Sequence, residues 1–265
     1  MVTQILNLAF VLVKSFFALF FPRINGNKRL IDRLLSNNEY ELAVLKGFCN
    51  PKKDFIDVGG LKGIYAFQLA PFCSTVHFFE PQKICIREAK SVSRKFIKNI
   101  RFYNCALDSN SNFRTFGVNL VSNGLSKIES IDPKQRFHLQ TMIWRKVIET
   151  RSLDSFFLNN VGIVKIDVEG HELMVLEGAF ETIAKNRPVV LVESERRHNS
   201  DSPEKVFQFF ENLNYSGFFF VEGNQFSIKE FQLDKHQNIL NAPTKMNSWS
   251  REMMYVNNFL FVPNS

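Results

Sequence analysis

A short apolar run that leads into a cluster of acidic residues constrains the fold of this chain more than any other feature. Residues 161–168 are mostly β-branched, and this pattern predicts a strand buried on both faces of a parallel sheet. Apolar residues recur at helical spacing from 173 to 183. Open α/β sheets bind ligands at the carboxyl ends of such strands, so we expect Asp167, Glu169 and His171 at a ligand-binding rim.

Length and composition favour one large α/β domain. The chain has 265 residues, of which 45% are hydrophobic, so it can bury a substantial core. We see no internal repeat and no Pro/Gly/Ser-rich linker. The net charge of +7 is spread along the chain without a basic cluster that contains aromatic residues. This pattern argues against a nucleic-acid partner.

The four cysteines show no metal-binding or redox spacing. Cys49, Cys73, Cys85 and Cys105 contain no CxxC pair, and His77 is the only histidine close to one of them. The sequence therefore predicts neither a zinc site nor a redox dithiol, but reduced thiols of a cytoplasmic protein.

The amino-terminal segment predicts an amphipathic helix within residues 1–26. The apolar run from Ile5 to Phe21 contains Lys14, and its polar residues fall within one arc of about 120° on a helical wheel. Two interpretations are open. The helix packs on its own domain or a partner subunit, or it lies on a membrane surface as a peripheral contact. We expect a helical lead-in over 27–44 and the main domain over 45–265.

A strand, a glycine turn and a helix follow one another from Asp54 to Ala70, and this order is typical of a nucleotide-binding element. Asp57 lies at the carboxyl end of the strand. The dinucleotide pattern G-x-G-x-x-G is excluded because Val58 occupies the place of its first glycine. The alternative is a glycine turn that serves packing alone.

Glu80 ends the next predicted strand, residues 75–79, about 20 residues after Gly60. An acid at this place can accept hydrogen bonds from both ribose hydroxyls of an adenosine, whereas the alternative is a solvated acid at a helix start. A third strand over 100–104 would place Asn104 beside the adenine. The less regular residues 109–150 predict a hairpin insertion over the site.

The carboxyl-terminal part predicts a fifth strand over 187–193 and short strands that close the sheet edge over 217–221, 225–228 and 258–262. Ser202 is expected to cap a helix that begins with Pro203 in its first turn. The 29 Phe fall mostly in apolar runs and are expected to pack in the core.

Together these motifs resemble the FkbM-type family of S-adenosylmethionine-dependent methyltransferases. The resemblance covers about residues 45–262 and is carried by Asp57-Val58-Gly59 with Gly63, Phe79-Glu80-Pro81, Asn104-Cys105-Ala106-Leu107, Ser152-Leu153-Asp154, Lys165-Ile166-Asp167-Val168-Glu169-Gly170 with Glu172, Arg187-Pro188, Glu193 and Asn258-Phe259-Leu260.

The resemblance implies an α/β fold with a Rossmann-like seven-stranded sheet, helices on both faces and a small hairpin insertion. It also implies S-adenosyl-L-methionine as cofactor and a hydroxyl acceptor, often on a sugar. The family usually has a small residue and then Asn after the first glycine, whereas this chain has Gly60-Leu61. The residues implied for the cofactor are Asp57, Gly59, Gly60, Gly63, Glu80, Asn104 and Ala106.

The acidic strand end supplies the candidate catalytic residues. Asp167 and His171 are expected to act on the acceptor, with His171 as the base. Glu169 and Glu193 would position acceptor hydroxyls or, with Asp167 and His171, bind a divalent ion such as Mg²⁺. The alternatives are an acid that complements the helix dipole and a structural histidine.

Two other functions fit the same pattern. One is a catalytically silent binding protein attached to a membrane surface, suggested by Leu61 and the apolar amino terminus. The other is a nucleotide-sugar or dinucleotide enzyme, which Val58 disfavours. The interpretation that we develop is O-methylation of a small-molecule or saccharide acceptor in the cytoplasm.

Removal of residues 1–26 tests the membrane interpretation. The truncated protein should stay folded but lose binding to liposomes, because the apolar helix face is gone. Co-sedimentation with liposomes measures this, and unchanged partitioning of the truncated form rules out the membrane contact.

Overall fold

The computed structural model describes residues 40–119, 126–129, 137–138, 143–241 and 254–264. The amphipathic helix predicted within 1–26 and the lead-in up to residue 39 lie outside the described residues. Within the described ranges, no helix is long and apolar enough to cross a membrane.

A mixed sheet of eight strands forms the centre of the structure, and its middle is parallel. The parallel strands are β1 (Asp54–Val58), β2 (Val76–Phe79), β3 (Ile100–Tyr103), β9 (Val161–Ile166) and β10 (Val189–Glu193). They lie in the order β10-β9-β1-β2-β3. All of them except the edge strand β3 are buried along almost their whole length, which explains their continuous apolar sequences.

The whole sheet has eight strands, one more than the seven predicted, and its antiparallel end contains three of them. β13 (Asn258–Pro263) pairs with β10 on one side and with β11 (Tyr215–Val221) on the other. β12 (Asn224–Ser227) then pairs with β11 through a tight turn. Both turn residues, Glu222 and Gly223, have positive φ, as a two-residue hairpin requires. The predicted α/β class is confirmed, whereas the number of strands is corrected.

The predicted hairpin insertion is a second sheet of five strands. Its strands are β4 (Ala106–Leu107), β5 (Asn112–Asn119), β6 (Lys127–Glu129), β7 (Phe137–His138) and β8 (Ile143–Arg151). Their order is β4-β8-β5-β6, and β7 pairs with β8. Most of the pairing is antiparallel, and the longest pair joins β5 and β8. The sequence indicates this sheet only weakly because its strands are short or incompletely buried.

Two helix predictions are corrected. The helical pattern after the acidic run forms two short helices that separate at Gly178 and Ala179. The backbone packs closely there, since a Cβ at Gly178 would lie 2.0 Å from the Asp108 carbonyl oxygen. Pro203, not Ser202, occupies the cap position of the later helix. The helices are α1 (Tyr40–Phe48), α2 (Ile64–Leu69), α3 (Lys83–Phe96), α4 (Glu172–Glu177), α5 (Phe180–Asn186), α6 (Glu204–Asn212) and α7 (Leu233–His236).

Phenylalanine rings fill much of the core, as the sequence predicts. Phe210 of α6 stacks on Phe261 of β13 with ring centroids 3.9 Å apart, and Phe207 meets Phe259 edge to face at 4.8 Å. Such contacts fix the helix on the sheet. Phe157 is an exception, because it is 81% exposed.

Gly59 lets two central strands meet at the functional end of the sheet. Its φ is +74°, and a Cβ there would lie 1.8 Å from the backbone oxygen of Asp167. Its N–H donates to the Phe79 carbonyl (3.0 Å), while the Asp167 N–H donates to the Val58 carbonyl (3.1 Å). A side chain at this position would separate β1 from β9.

Gly59→Ala should therefore lower the free energy of unfolding by about 3 kcal/mol or more, because it combines a backbone clash with positive φ. Gly47→Ala is the matched control. Gly47 lies in α1, and a Cβ added there would meet no atom within 4 Å. This change should stabilise the protein by up to about 1 kcal/mol through helix propensity. Urea denaturation measures both changes, and equal stabilities of the two variants would contradict this account.

Candidate active site

A cavity of about 460 Å³ opens at the carboxyl ends of the parallel strands. Its volume falls within the range of small-molecule sites. Residues from both predicted groups face the same space, since Gly59, Glu80 and Ala106 line it together with Asp167, Glu169 and His171. The remaining lining residues are Val58, Leu61, Phe79, Pro81, Gln82, Cys105, Leu107, Phe116, Ser126, Ile128, Val168 and Glu193.

Glu80 lies at the end of β2 and is 3% exposed. Its Oε1 accepts a hydrogen bond from the Gln82 N–H (2.8 Å), and its Oε2 accepts one from the Leu61 N–H (3.0 Å). Burial raises the pKa of Glu80 to about 7, although both N–H groups favour the ionised form. The Gln82 side chain also donates to this carboxyl group. A carboxylate has about four lone-pair sites, so it can still accept a further hydroxyl donor.

Asp57 lies behind the cavity wall and is fully buried. Its Oδ2 accepts from the Ala66 N–H in the first turn of α2 (3.1 Å), which holds the glycine turn against the helix. Its Oδ1 has no hydrogen-bond partner within the described part of the chain. Burial raises the pKa of Asp57 to about 6, and Lys165 opposes this shift. Asp57 is not among the described residues that line the cavity, so its direct contact with a ligand stays a prediction.

Three other predicted cofactor residues shape the strand ends and the glycine turn. Asn104 donates its side-chain amide to the Glu80 carbonyl oxygen (2.9 Å), which joins the ends of β3 and β2. Gly60 packs against Phe78, where a Cβ would lie 2.3 Å from the ring. Gly63 has φ of +81° and precedes α2. Asn104, Gly60 and Gly63 are not among the described residues that line the cavity. Direct contact between them and a ligand therefore stays a prediction.

Asp167 follows β9 and is paired with a buried lysine. Its Oδ2 lies 3.0 Å from the Lys165 Nζ, and its side chain is 30% exposed. Burial lowers the pKa of Lys165. The negative charges of Asp167, Asp57 and Glu193 have a larger opposite effect and hold this pKa above its ordinary value. Burial raises the pKa of Glu193 well above normal, and the nearby charge of Asp167 adds to this.

His171 occupies the position just before α4 and lies beside the buried carboxylate of Asp108. Its Nε2 is 3.3 Å from Oδ1 of Asp108, without hydrogen-bond geometry. Asp108 is also held by Arg114, whose Nε lies 2.7 Å from Oδ2. Burial lowers the pKa of His171, and Asp108 opposes the shift. The imidazole is therefore neutral at pH 7 and has an acid next to it that favours its protonated form.

Glu169 belongs to a second ion-pair network. Its Oε2 lies 3.0 Å from Nε2 of His198, which is also 3.6 Å from Oε1 of Glu195. Burial opposes the charge of His198, but the two carboxylates outweigh burial and raise its pKa to about 9. Tyr255 donates to Glu195 (2.6 Å). Glu169 has φ of +56°, so this network holds its backbone in an uncommon conformation.

The divalent-ion interpretation is not supported by this arrangement. Asp167 faces Lys165, Glu169 faces His198, and Glu193 accepts a hydrogen bond from Asn257 (2.8 Å). Within the described ranges, no group of three or more His, Cys, Asp or Glu residues could hold a metal ion.

The second sheet contributes a wall where the sequence predicted an insertion over the site, but the sequence did not single out the residues of this wall. Phe116, Ser126 and Ile128 line the cavity opposite the strand ends. Phe116 packs with Ala106 and Ile148 in a small separate core. The partners Asp108 and His198 were also missed, because no regular spacing connects them with His171 and Glu169.

Comparison with known proteins decides the family. The family model described as the methyltransferase FkbM domain matches residues 57–216, more than half of the chain. The chain belongs to this family. The resemblance inferred from the sequence motifs is therefore confirmed. The search of the curated proteins found no match.

One solved structure agrees with the fold, and a second has a lower structural similarity. The crystal structure of methyltransferase FkbM from Methylobacillus flagellatus KT is 16% identical, with a TM-score of 0.51. The match covers 80% of this chain and 44% of that chain, so this protein spans less than half of its length. An rRNA methylase from Streptococcus thermophilus is 9% identical over 85% of this chain and 94% of its own, with a TM-score of 0.45.

The raised pKa of Glu80 predicts a pH-dependent stability. The folded protein keeps a proton on Glu80 up to about pH 7, whereas the unfolded chain releases it near pH 4.5. The stability that this proton contributes is present below pH 4.5 and is lost as pH rises through about 7. From pH 5 to pH 8, the free energy of unfolding of the wild type should fall by about 2 kcal/mol more than that of Glu80→Gln, because a glutamine side chain does not titrate.

Urea denaturation at both pH values measures this difference. Glu211→Gln is the control, because Glu211 is exposed on α6 and should leave the wild-type pH dependence unchanged. An equally steep loss of stability in Glu80→Gln would show that other groups cause it.

Proposed function

We propose that this protein is an S-adenosylmethionine-dependent methyltransferase that methylates a hydroxyl group on a saccharide or a similar polyhydroxylated small molecule. The observation that supports this most is the composition of one cavity. Gly59, Glu80 and Ala106, which are implied for the cofactor, line it together with Asp167, Glu169 and His171, which are expected to act on the acceptor. A cofactor and an acceptor can therefore occupy the same enclosed space.

The cofactor side fits an adenosine with a charged tail. Glu80 lines the cavity and can accept a further donor such as a ribose hydroxyl, while Asp57 has a buried oxygen without a partner among the described residues. Gly59 has no side chain, so it contributes backbone to the cavity wall. Leu107 and Phe116 add apolar surface for a flat base. When bound, S-adenosylmethionine supplies an electrophilic methyl group on a sulfonium.

His171 is suited to remove the proton from the acceptor hydroxyl. Its pKa is lowered by burial, so the ring is neutral at pH 7 and can accept a proton. Asp108, 3.3 Å from Nε2, would stabilise the imidazolium that forms and fix the ring orientation. We assign His171 the role of general base and Asp108 the role of a positioning residue.

Asp167 and Glu169 are suited to hold the acceptor. Each carboxylate is fixed by one cation, Lys165 or His198, and both line the cavity. Several fixed carboxylates in one wall match a ligand with several hydroxyl donors, which is why a saccharide fits. Correct orientation of the acceptor oxygen can contribute about 7 kcal/mol of the barrier reduction.

Leu61 does not favour the silent binding protein over the enzyme. Its side chain replaces the polar residue usual in the family, but its N–H still supports Glu80 at 3.0 Å. Its φ is +47°, a conformation that Asn adopts more readily than Leu. The departure therefore changes the cavity surface and leaves the hydrogen bond to Glu80 in place.

Calorimetric titration with S-adenosylmethionine, S-adenosylhomocysteine and NAD tests the proposal. Both sulfur nucleotides should bind, and NAD should not, because the dinucleotide glycine pattern is absent. Glu80→Gln should weaken both sulfur nucleotides about tenfold or more, since a charged acceptor of the ribose hydroxyls is lost. Absence of binding to either sulfur nucleotide at millimolar concentration would overturn the methyltransferase assignment.

Variants separate cofactor binding from catalysis. Asp167→Ala and His171→Ala should keep the cofactor affinity but lose most turnover, measured as S-adenosylhomocysteine release with a panel of monosaccharides, methyl glycosides and nucleotide sugars. Glu177→Ala is the control, because Glu177 is exposed on the same helix as the His171 cap. Full activity in both site variants would refute the assigned roles.

A further inference from the structure

Two cysteines that are distant in sequence touch each other away from the cavity. The Sγ atoms of Cys49 and Cys73 are 3.6 Å apart, and the Cys73 thiol donates a hydrogen bond to the Cys49 sulfur. Both thiols are free. The absence of CxxC spacing predicted no redox dithiol, but the tertiary structure brings these two thiols together from two separate connections of the sheet.

The two sulfurs have different surroundings. Cys49 is partly exposed, and its thiol faces the Leu45 carbonyl oxygen at 3.7 Å. The hydrogen bond from Cys73 lowers the pKa of Cys49 most, burial opposes the shift, and the Lys46 ammonium lowers it further. Cys73 is buried, and its pKa is raised by the same hydrogen bond, by burial and by Asp54. Cys49 is therefore the thiol of the pair that ionises more readily, and Cys73 is the one that keeps its proton more strongly.

The other two cysteines differ from this pair. Cys85 and Cys105 are 1% and 6% exposed, and burial raises their pKa values to about 12 and about 11. Buried thiols with high pKa values react slowly with oxidants. They serve as internal controls for a reaction at Cys49.

Geometry holds the pair in place before any reaction. The Cys73 N–H donates to the Ala70 carbonyl, and the Cys73 carbonyl accepts from the Asn99 side-chain amide (3.1 Å). Cys49 directly follows α1, and its N–H donates to the Lys46 carbonyl (3.3 Å). A bond between the sulfurs requires an approach of roughly 1.5 Å, which side-chain rotation and small backbone shifts can supply.

We propose that Cys49 and Cys73 form a peroxide-sensitive dithiol whose oxidation fastens α1 to the sheet. The Cys49 thiolate attacks hydrogen peroxide, the O–O bond breaks, and Cys49 sulfenic acid and hydroxide form. The Cys73 sulfur then attacks the sulfenic sulfur, the S–O bond breaks, and the Cys73 proton leaves with the released water. In sum, two thiols and one peroxide give one disulfide and two waters.

The position of the pair predicts the effect of the bond. Cys49 precedes β1 and Cys73 precedes β2, so the sulfurs lie near the amino ends of the parallel strands. The cavity lies at the carboxyl ends of these strands. Oxidation should therefore stabilise the fold by closing a chain loop without altering ligand binding.

The full-length protein, treated with a small excess of hydrogen peroxide, should lose 2 Da. Its thiol count in denaturant should fall from four to two, and mass spectrometry of peptides should find Cys49 joined to Cys73. The melting temperature should rise by about 5 °C or more, and dithiothreitol should reverse all three changes. Affinity for S-adenosylmethionine should not change, so this result is independent of the proposed function.

Cys49→Ser and Cys73→Ser should each abolish the crosslink, whereas Cys85→Ser should retain it. The melting temperature of each reduced variant shows that it is folded. The proposal is overturned if peroxide gives sulfinic acid at Cys49 without a crosslink, if another pair of cysteines is joined, or if all four thiols persist.

Discussion

A buried ammonium group holds together the acidic end of the sheet. Lys165 lies on the central strand β9, with Asp167 at 3.0 Å, and the charges of Asp57 and Glu193 act on it from neighbouring strands. Three carboxylates in one buried region repel each other, and desolvation disfavours each charge. The raised pKa values of Asp57 and Glu193 record this conflict. Removing Lys165 alone would leave buried charge without compensation.

The same lysine connects the two halves of the candidate site. Asp57 supports the glycine turn on the proposed cofactor side through the Ala66 N–H, while Asp167 lines the cavity on the proposed acceptor side. Gly59 permits the close approach of these two strand ends, because a Cβ would meet the Asp167 carbonyl oxygen. The close packing at Gly59 and the charges around Lys165 therefore meet at the ends of β1 and β9, where the cavity opens.

Much of the central architecture could be predicted from the sequence. Runs such as 54–58 and 161–166 are apolar and β-branched, and glycines or acids follow them, so strand ends and loops were recognisable. The second sheet was underestimated, because β5 and β8 carry mixed polar and apolar residues and their pairing spans a long connection. The separation of the two helices at Gly178 and Ala179 was not foreseen either, and no local pattern indicates the close packing of Gly178 on the Asp108 carbonyl oxygen.

The sequence by itself determined which residues lie at the rim. Parallel strands joined by helices place all their carboxyl ends at one edge, so Asp57, Glu80 and Asp167 had to lie close together. Only the tertiary structure decided their partners: Lys165 for Asp167, Asp108 for His171, and His198 for Glu169. The tertiary structure also decided which residues of the second sheet line the cavity, and it brought Cys49 and Cys73 into contact. These pairs depend on how loops cross in space, and no local periodicity of the chain encodes such contacts.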